Sequence, residues 1–171
     1  MNARTRHHPE RTQNLAKLAE LIRDVDIAML TTVNADGRLI SRPLGTQEVE
    51  FDGDLWFATE CDSGKATDIQ RNPQVNVSYA SKGQNTYVSV AGLASIVRDR
   101  AKIDAMWSPA MKIFFPNGKD DPNLCLIRVE VETAEFWDGP GTVMGKALYF
   151  MMSAVTGDVG VLTDNERIDL R

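Results

Sequence analysis

The 171-residue sequence predicts a mainly β domain, in which five or six antiparallel strands form a barrel that carries a few helices. Three observations support this fold class. Short runs rich in β-branched and apolar residues recur along the chain, glycine-containing turns separate them, and helical periodicity appears only before, between or after these runs. The length suits one domain. We expect that domain over residues 12–160, with a flexible tail over 1–11 and a C-terminal tail over 161–171.

The N-terminal third predicts one helix and three strands. Thr12 is the expected N-cap of a helix whose apolar stripe consists of Leu15, Leu18, Ala19 and Ile22. Strands are predicted over 26–33, 38–51 and 54–60. The Asn-Ala-Asp-Gly turn at 34–37 and the Asp-Gly hairpin signal at 52–53 separate them.

The remainder predicts three further strands and several helices. A short helix over 63–71 ends at the Asn-Pro pair of 72–73, and strands over 74–80 and 85–97 follow. Short helices over 100–106 and 107–115 and a polar loop over 116–122 precede the sixth strand, over 124–137. Apolar positions between Met144 and Val155 predict a final amphipathic helix that stops at Gly157.

Composition narrows the class of protein. The net charge of −5 argues against binding to nucleic acid or to an anionic membrane, because phosphate contacts need clustered Lys and Arg. No apolar run approaches the length of a membrane span, and the first ten residues are polar, so a cytoplasmic location is expected. Cys61 and Cys125 lie far apart without CxxC spacing. We therefore expect two buried, reduced thiols, no disulfide and no metal site.

Two segments indicate an anion-binding site. Arg42 lies on a predicted strand, and the adjacent Pro43 cannot donate to a sheet ladder, which places this part of the strand at an edge or a bulge. Ser63, Gly64 and Lys65 begin a predicted helix, where free N–H groups and the helix dipole favour an anion. A solvent-exposed Arg42 and a simple Ser63 N-cap are the structural alternatives, but the N-cap does not explain a cation in the first turn.

Two tryptophans are candidate walls for a flat ligand. Trp137 ends the sixth strand and Trp107 begins a short helix. An indole offers stacking area and an N–H donor, although a core position would explain either residue equally well.

Taken in order, four segments resemble the pyridoxamine 5′-phosphate oxidase-like, FMN-binding split-barrel superfamily, and within it the general stress protein branch. They are MLTTVNADGRLISRPLG (29–45), DLWFATECDSGKATDIQRNPQVNVSY (54–79), VSVAGLASIV (88–97) and AEFWDG (134–139). The resemblance implies a six-stranded antiparallel split β-barrel with peripheral helices. It also implies a homodimer with flavin sites between its subunits.

The same resemblance implies a role for each candidate residue. Arg42 binds the FMN phosphate, while Ser63 and Lys65 complete the phosphate cradle. Pro43 and Leu44 contact the flavin ring, and Ala58 and Thr59 line the ribityl chain or the phosphate. Trp137 and Trp107 reach the flavin from the partner subunit. FAD could use the same cradle.

The sequence also departs from the oxidases of this superfamily. Gly64-Lys65 stands where they carry an Arg-Lys pair, and the only histidines are His7 and His8, so their C-terminal Arg-x-His segment is missing. Vitamin B6 oxidation is therefore not expected. A flavin-binding stress-type protein, with or without weak oxidoreductase activity, is the first hypothesis. A deazaflavin-binding barrel and a non-enzymatic dimeric binding or sensing module remain as alternatives.

Overall fold

The computed structural model describes residues 9–46, 53–138 and 164–169, which form one antiparallel sheet with flanking helices. The strands are β1 (Ile27–Val33), β2 (Leu39–Gly45), β3 (Asp54–Glu60), β4 (Gln74–Ser81), β5 (Thr86–Val97), β6 (Leu124–Asp138) and β7 (Asp164–Asp169). The helices are α1 (Pro9–Ile22), α2 (Gly64–Arg71) and α3 (Arg100–Met106), followed by two 3₁₀ turns, Pro109–Ile113 and Gly118–Asp120.

Six strands follow a single path in the order β2-β1-β4-β5-β6-β3, so the predicted six-stranded antiparallel sheet is confirmed. The end strands β2 and β3 approach each other, but no ladder joins their described residues. The sheet therefore curls into a half-barrel that stays split at this seam. Pro43 lies on the end strand β2, as its missing N–H predicts.

The core lies inside the curl because alternate residues of each strand face it. Burial alternates along β3 and β4, which contribute the buried Phe57 and Val77. Helix α1 closes the core with the fully buried Leu18, and burying one such side chain stabilises the fold by roughly 2 kcal/mol.

A close backbone approach bends the long β5–β6 pair. The register shifts between Ala91 and Gly92, and a Cβ on Gly92 would overlap the carbonyl oxygen of Glu130. Only glycine fits at this bulge without moving β6.

Two helix predictions need correction. Helix α1 begins at Pro9, so Thr12 lies inside the helix and the N-cap prediction at Thr12 is wrong. Proline is tolerated in the first turn of a helix because the N–H it lacks has no intrahelical partner there. The second short helix is confined to the 3₁₀ turn Pro109–Ile113, since Trp107 is the C-cap of α3 and Ser108 is extended.

A seventh strand lies in the segment predicted to be a C-terminal tail. Strand β3 pairs with β6 only from Leu124 to Glu130, which leaves the edge of β6 open from Thr133 onward. Strand β7 occupies that edge, pairing Thr133 with Asp169. Its sequence, DNERID, has too few apolar residues for a recognisable strand pattern.

The expectation of two reduced thiols is also wrong, because Cys61 and Cys125 form a disulfide. The residues are 64 positions apart, but the β3–β6 ladder pairs Thr59 with Cys125 and brings the two cysteine Cα atoms to 5.2 Å. This distance is within the usual range for a disulfide. The antiparallel β3–β6 ladder thus brings together two cysteines that are distant in the sequence.

Some predictions fall outside the described residues. They include the C-terminal part of the long second strand, over 47–51, and the final helix between Met144 and Gly157. None of the described helices is long and apolar enough to cross a membrane. In the same ranges no three His, Cys, Asp or Glu side chains are grouped as metal ligands would be.

Candidate functional site

A cleft of about 380 Å³ opens beside the split between β2 and β3. It is lined by residues 43–46 at the end of β2, by 58–60 of β3, by Lys65 of α2, and by Ser108, Ala110, Met111, Phe114 and Phe115. This volume is within the usual range for small-molecule sites.

One wall of the cleft is apolar. Leu44, Met111 and Phe115 are buried, whereas Phe114 is 72% exposed at the rim. An apolar wall beside charged groups suits a ligand with a flat ring system and a phosphate.

Arg42 is held at the seam by two buried polar residues. Its Nη1 donates to Thr32 Oγ1 at 2.8 Å, and its Nη2 forms an ion pair with Asp68 Oδ2 at 3.1 Å. The Thr32 hydroxyl in turn donates to Asp68 Oδ2 at 3.0 Å. These contacts use two of the five N–H groups of the guanidinium. Arg42 is therefore fixed in position and can still donate to a ligand.

The start of α2 offers further donors. Ser63 is the N-cap, and its Oγ accepts from the Ala66 N–H at 3.4 Å and lies 3.2 Å from the hydroxyl of the buried Thr59. The first N–H groups of a helix have no intrahelical partner, and the helix dipole makes this end positive. An anion at this position would be stabilised by both effects.

The two predicted cations converge at this helix start. A Cβ built on Gly64 would lie 3.9 Å from Arg42 Nη2, so the guanidinium lies against the first residue of α2. Burial lowers the pKa of Lys65 from 10.5, with nearby Glu60 raising it and nearby Arg42 lowering it further. Arg42 therefore lies at the helix start from which Lys65 lines the cleft.

The structure places the candidate residues in two groups. Pro43, Leu44, Ala58, Thr59 and Lys65 line the cleft, and Arg42 and Ser63 adjoin it.

The two tryptophans do not line the cleft of their own chain. Trp107 packs against the apolar cluster that includes Met111 and Phe115. Trp137 pairs with Tyr87 near the far end of β6. Ala58, which lines the cleft, pairs with Leu126 of β6. Trp137 lies eleven residues further along β6, which corresponds to about 36 Å along the strand.

Sequence reasoning missed several residues of this site. Asp68 had a usable signal, because an aspartate among the buried positions Ala66 and Ile69 of a short helix needs a buried partner. Thr32 had no distinguishing signal on an apolar strand. The aromatic residues of the cleft, Phe114 at its rim and Phe115 in its wall, follow a 3₁₀ turn whose position only the fold defines.

Comparison with known proteins gives relatives along most of the chain. Protein bli-3 of Neurospora crassa is 29% identical over 155 residues, which cover 85% of this chain and 74% of the relative. General stress protein 26 of Bacillus subtilis is 36% identical over 81 residues, which cover 46% of this chain and 57% of the relative.

Solved structures share the fold. A general stress protein 26 homologue of Jannaschia sp. aligns with a TM-score of 0.74 at 21% identity, over 92% of this chain and 99% of the other. A Xanthomonas citri protein, described as a general stress FMN/FAD binding protein, aligns with a TM-score of 0.66 at 25% identity, over 77% of this chain and 93% of the other. The family model for pyridoxamine 5′-phosphate oxidase-like proteins matches residues 13–160. The resemblance seen in the sequence is confirmed, and the chain belongs to the pyridoxamine 5′-phosphate oxidase-like family.

Proposed function

We propose that this protein binds a flavin nucleotide, FMN or alternatively FAD, in the cleft beside the β2–β3 seam. The observation that carries the proposal is the convergence of Arg42 and Lys65 on the start of α2, next to a cleft with an apolar wall. A phosphate on a planar ring system requires this combination of charge and shape.

The phosphate would lie between the two cations. Within the described ranges Arg42 bonds Thr32 and Asp68, which leaves three of its five N–H groups for the phosphate. Lys65 is unfavourably placed for the helix dipole unless a negative group lies between them, and a bound phosphate removes this conflict. Ser63 adds a hydroxyl at the N-cap.

The rest of the flavin would occupy the cleft. Pro43 and Leu44 contact the ring, while Ala58 and Thr59 line the ribityl chain. All four residues lie on the cleft wall. When bound, the flavin supplies redox chemistry, and the chain supplies orientation and electrostatics. We extend the proposal to weak flavin-dependent oxidoreductase activity.

The proposal includes a homodimer in which Trp137 and Trp107 of one subunit form walls for the flavin of the other. Its support is twofold. Trp137 lies far along β6 from the cleft of its own chain. Ile27 and Met29, which lie two residues apart on β1 near one end of the sheet, are 55% and 39% exposed, and adjacent exposed apolar side chains support an interface with a second subunit.

A stress-related role in the cytoplasm completes the proposal. Several relatives are general stress proteins, and the Xanthomonas citri relative is described as a general stress FMN/FAD binding protein. The net charge of −5 supports a small-molecule ligand rather than nucleic acid or an anionic membrane.

Calorimetric titration with FMN and with riboflavin, which lacks the phosphate, tests the proposal. We expect FMN to bind at least ten times more tightly than riboflavin, because the cradle recognises phosphate. Lys65→Ala is expected to weaken FMN binding and to leave riboflavin binding unchanged. Arg38→Ala is the matched control, because it removes the same charge from an exposed turn. No binding of FMN, or equal affinities for the two ligands, would refute the proposal.

A further inference from the structure

The Cys61–Cys125 disulfide lies at the edge of the described site and takes no part in the proposed flavin contacts. It links the turn after β3 to the second residue of β6. Its two halves differ in accessibility, because Cys61 is partly exposed whereas Cys125 is only 2% exposed. An external thiol therefore meets the Cys61 side of the bond.

Arg98 lies against both sulfur atoms. Its Nη2 is 3.3 Å from Cys61 Sγ, and its Nε is 3.4 Å from Cys125 Sγ. A disulfide is neutral and gains little from a guanidinium, whereas a thiolate is strongly stabilised by one. The surroundings of this bond thus also suit the charged form that reduction produces.

Hydrogen bonds hold the two cysteines together independently of the S–S bond. The Cys61 N–H donates to the Asn123 carbonyl oxygen at 2.8 Å. The Asn123 side chain donates to Asp62 Oδ1 at 2.8 Å and accepts from the Asp62 N–H at 3.3 Å. The β3–β6 ladder adds the pairing of Thr59 with Cys125. These contacts would keep the sulfurs adjacent after reduction, so that the bond can form again.

We propose that Cys61 and Cys125 form a reversible thiol–disulfide site that exchanges electrons with small dithiols or with a dithiol protein. A thiolate of the reductant attacks Cys61 Sγ, the Cys61–Cys125 bond breaks, and Cys125 leaves as a thiolate beside Arg98. The second thiol of the reductant then attacks the mixed disulfide and releases Cys61. The reductant is oxidised to its disulfide, and its two protons and two electrons reduce the cysteine pair.

This assignment agrees with the proposed cytoplasmic location. Disulfides in reducing compartments are rare, and those that do occur are usually transient and serve catalysis or redox sensing. A purely structural bond would need neither an accessible sulfur nor a cation over both sulfurs.

Alkylation of free thiols followed by mass spectrometry tests the redox cycle on the folded, full-length protein. We expect dithiothreitol to yield two thiols, of which Cys61 is alkylated without denaturant and the buried Cys125 only once the reduced chain is unfolded. Glutathione disulfide is expected to remove both thiols, and the far-UV circular dichroism spectrum of the folded protein is expected to be the same before and after reduction. The proposal is overturned if the Cys61 thiol reacts only in denaturant, or if reduction unfolds the chain. Flavin plays no part in this measurement, so its outcome is independent of the proposed cofactor.

A variant of Arg98 tests whether its guanidinium assists reduction of the disulfide. Arg98→Ala is expected to slow reduction by dithiothreitol about tenfold, because a stabilised thiolate is the better leaving group. The control Arg71→Ala, at the exposed end of α2, is expected to react at the wild-type rate. Equal rates in all three proteins would overturn the role of Arg98.

Single-cysteine variants identify the attacked sulfur. With glutathione disulfide, Cys125→Ser is expected to gain one glutathione at Cys61, whereas Cys61→Ser is expected to remain unmodified because Cys125 is buried. Modification of Cys125 alone would overturn the assignment of Cys61.

Discussion

Replacing Arg42 with alanine measures how much of the ligand affinity comes from the phosphate. A charge-assisted hydrogen bond contributes about 1.5–3 kcal/mol. The Arg42 side chain is 31% exposed and already paired with Asp68, so solvent screening favours the lower part of this range. We therefore expect Arg42→Ala to weaken FMN binding by about 1.5–2 kcal/mol, which is roughly 10- to 30-fold in Kd.

The comparison with riboflavin makes this prediction specific. Calorimetric titration is expected to show the loss for FMN and no loss for riboflavin, because only FMN carries the phosphate. Arg42→Lys keeps a charge beside the buried Asp68 and is expected to retain part of the affinity, without the fork geometry of the guanidinium. Equal losses for both ligands, in a variant that still unfolds cooperatively, would show that Arg42 acts on the fold and not on the phosphate.

Three further perturbations address the Arg42–Asp68 ion pair, the bulge at Gly92 and the partly buried Lys65. Thr32→Val removes the buried hydroxyl that bridges Arg42 and Asp68, and is expected to lower the free energy of unfolding in urea by about 1–2 kcal/mol. Gly92→Ala places a Cβ on the Glu130 carbonyl oxygen, and is expected to cost roughly 3 kcal/mol in the same assay. Burial lowers the pKa of Lys65, so its positive charge is lost at a lower pH than that of an ordinary lysine. FMN affinity is therefore expected to fall as the pH rises towards the ordinary lysine value of 10.5, and Lys65→Arg is expected to suppress this fall.

Each of these three tests has a control for which a different result is expected. Thr32→Ser retains the hydroxyl and is expected to lose less stability than the valine variant. Gly83→Ala is expected to be nearly neutral, because no atom lies within 4 Å of the new Cβ and its φ is not positive. A pH dependence of FMN affinity that Lys65→Arg leaves unchanged would assign the titration to another group.

The strands could be predicted from the sequence because their signals are local. Alternating burial along β4 follows from alternating residue character, and the edge position of β2 follows from the missing N–H of Pro43. The N-cap role of Ser63 is equally local, and its side chain accepts from the Ala66 N–H as a cap requires. Each of these features depends on residues within a few positions of one another.

Residues distant in sequence decided what could not be predicted. The disulfide depends on the β3–β6 register, which brings Cys61 and Cys125 together across 64 positions. Strand β7 forms because β3 leaves part of the β6 edge open, a consequence of strand lengths rather than of its own polar sequence. Neither cysteine carries a local signal of its partner.

The candidate site shows the same division. Sequence alone determined the residue types that a phosphate requires, namely a guanidinium on an edge strand and an ammonium at a helix start. These features could be predicted because each depends on residues that are neighbours in the sequence. Tertiary structure alone decided that Arg42 lies against Gly64 and that Thr32 and Asp68 hold it there, since these residues come from two strands and a helix. The physical reason is that side-chain identity is local, whereas the distance between two charges depends on how the sheet curls.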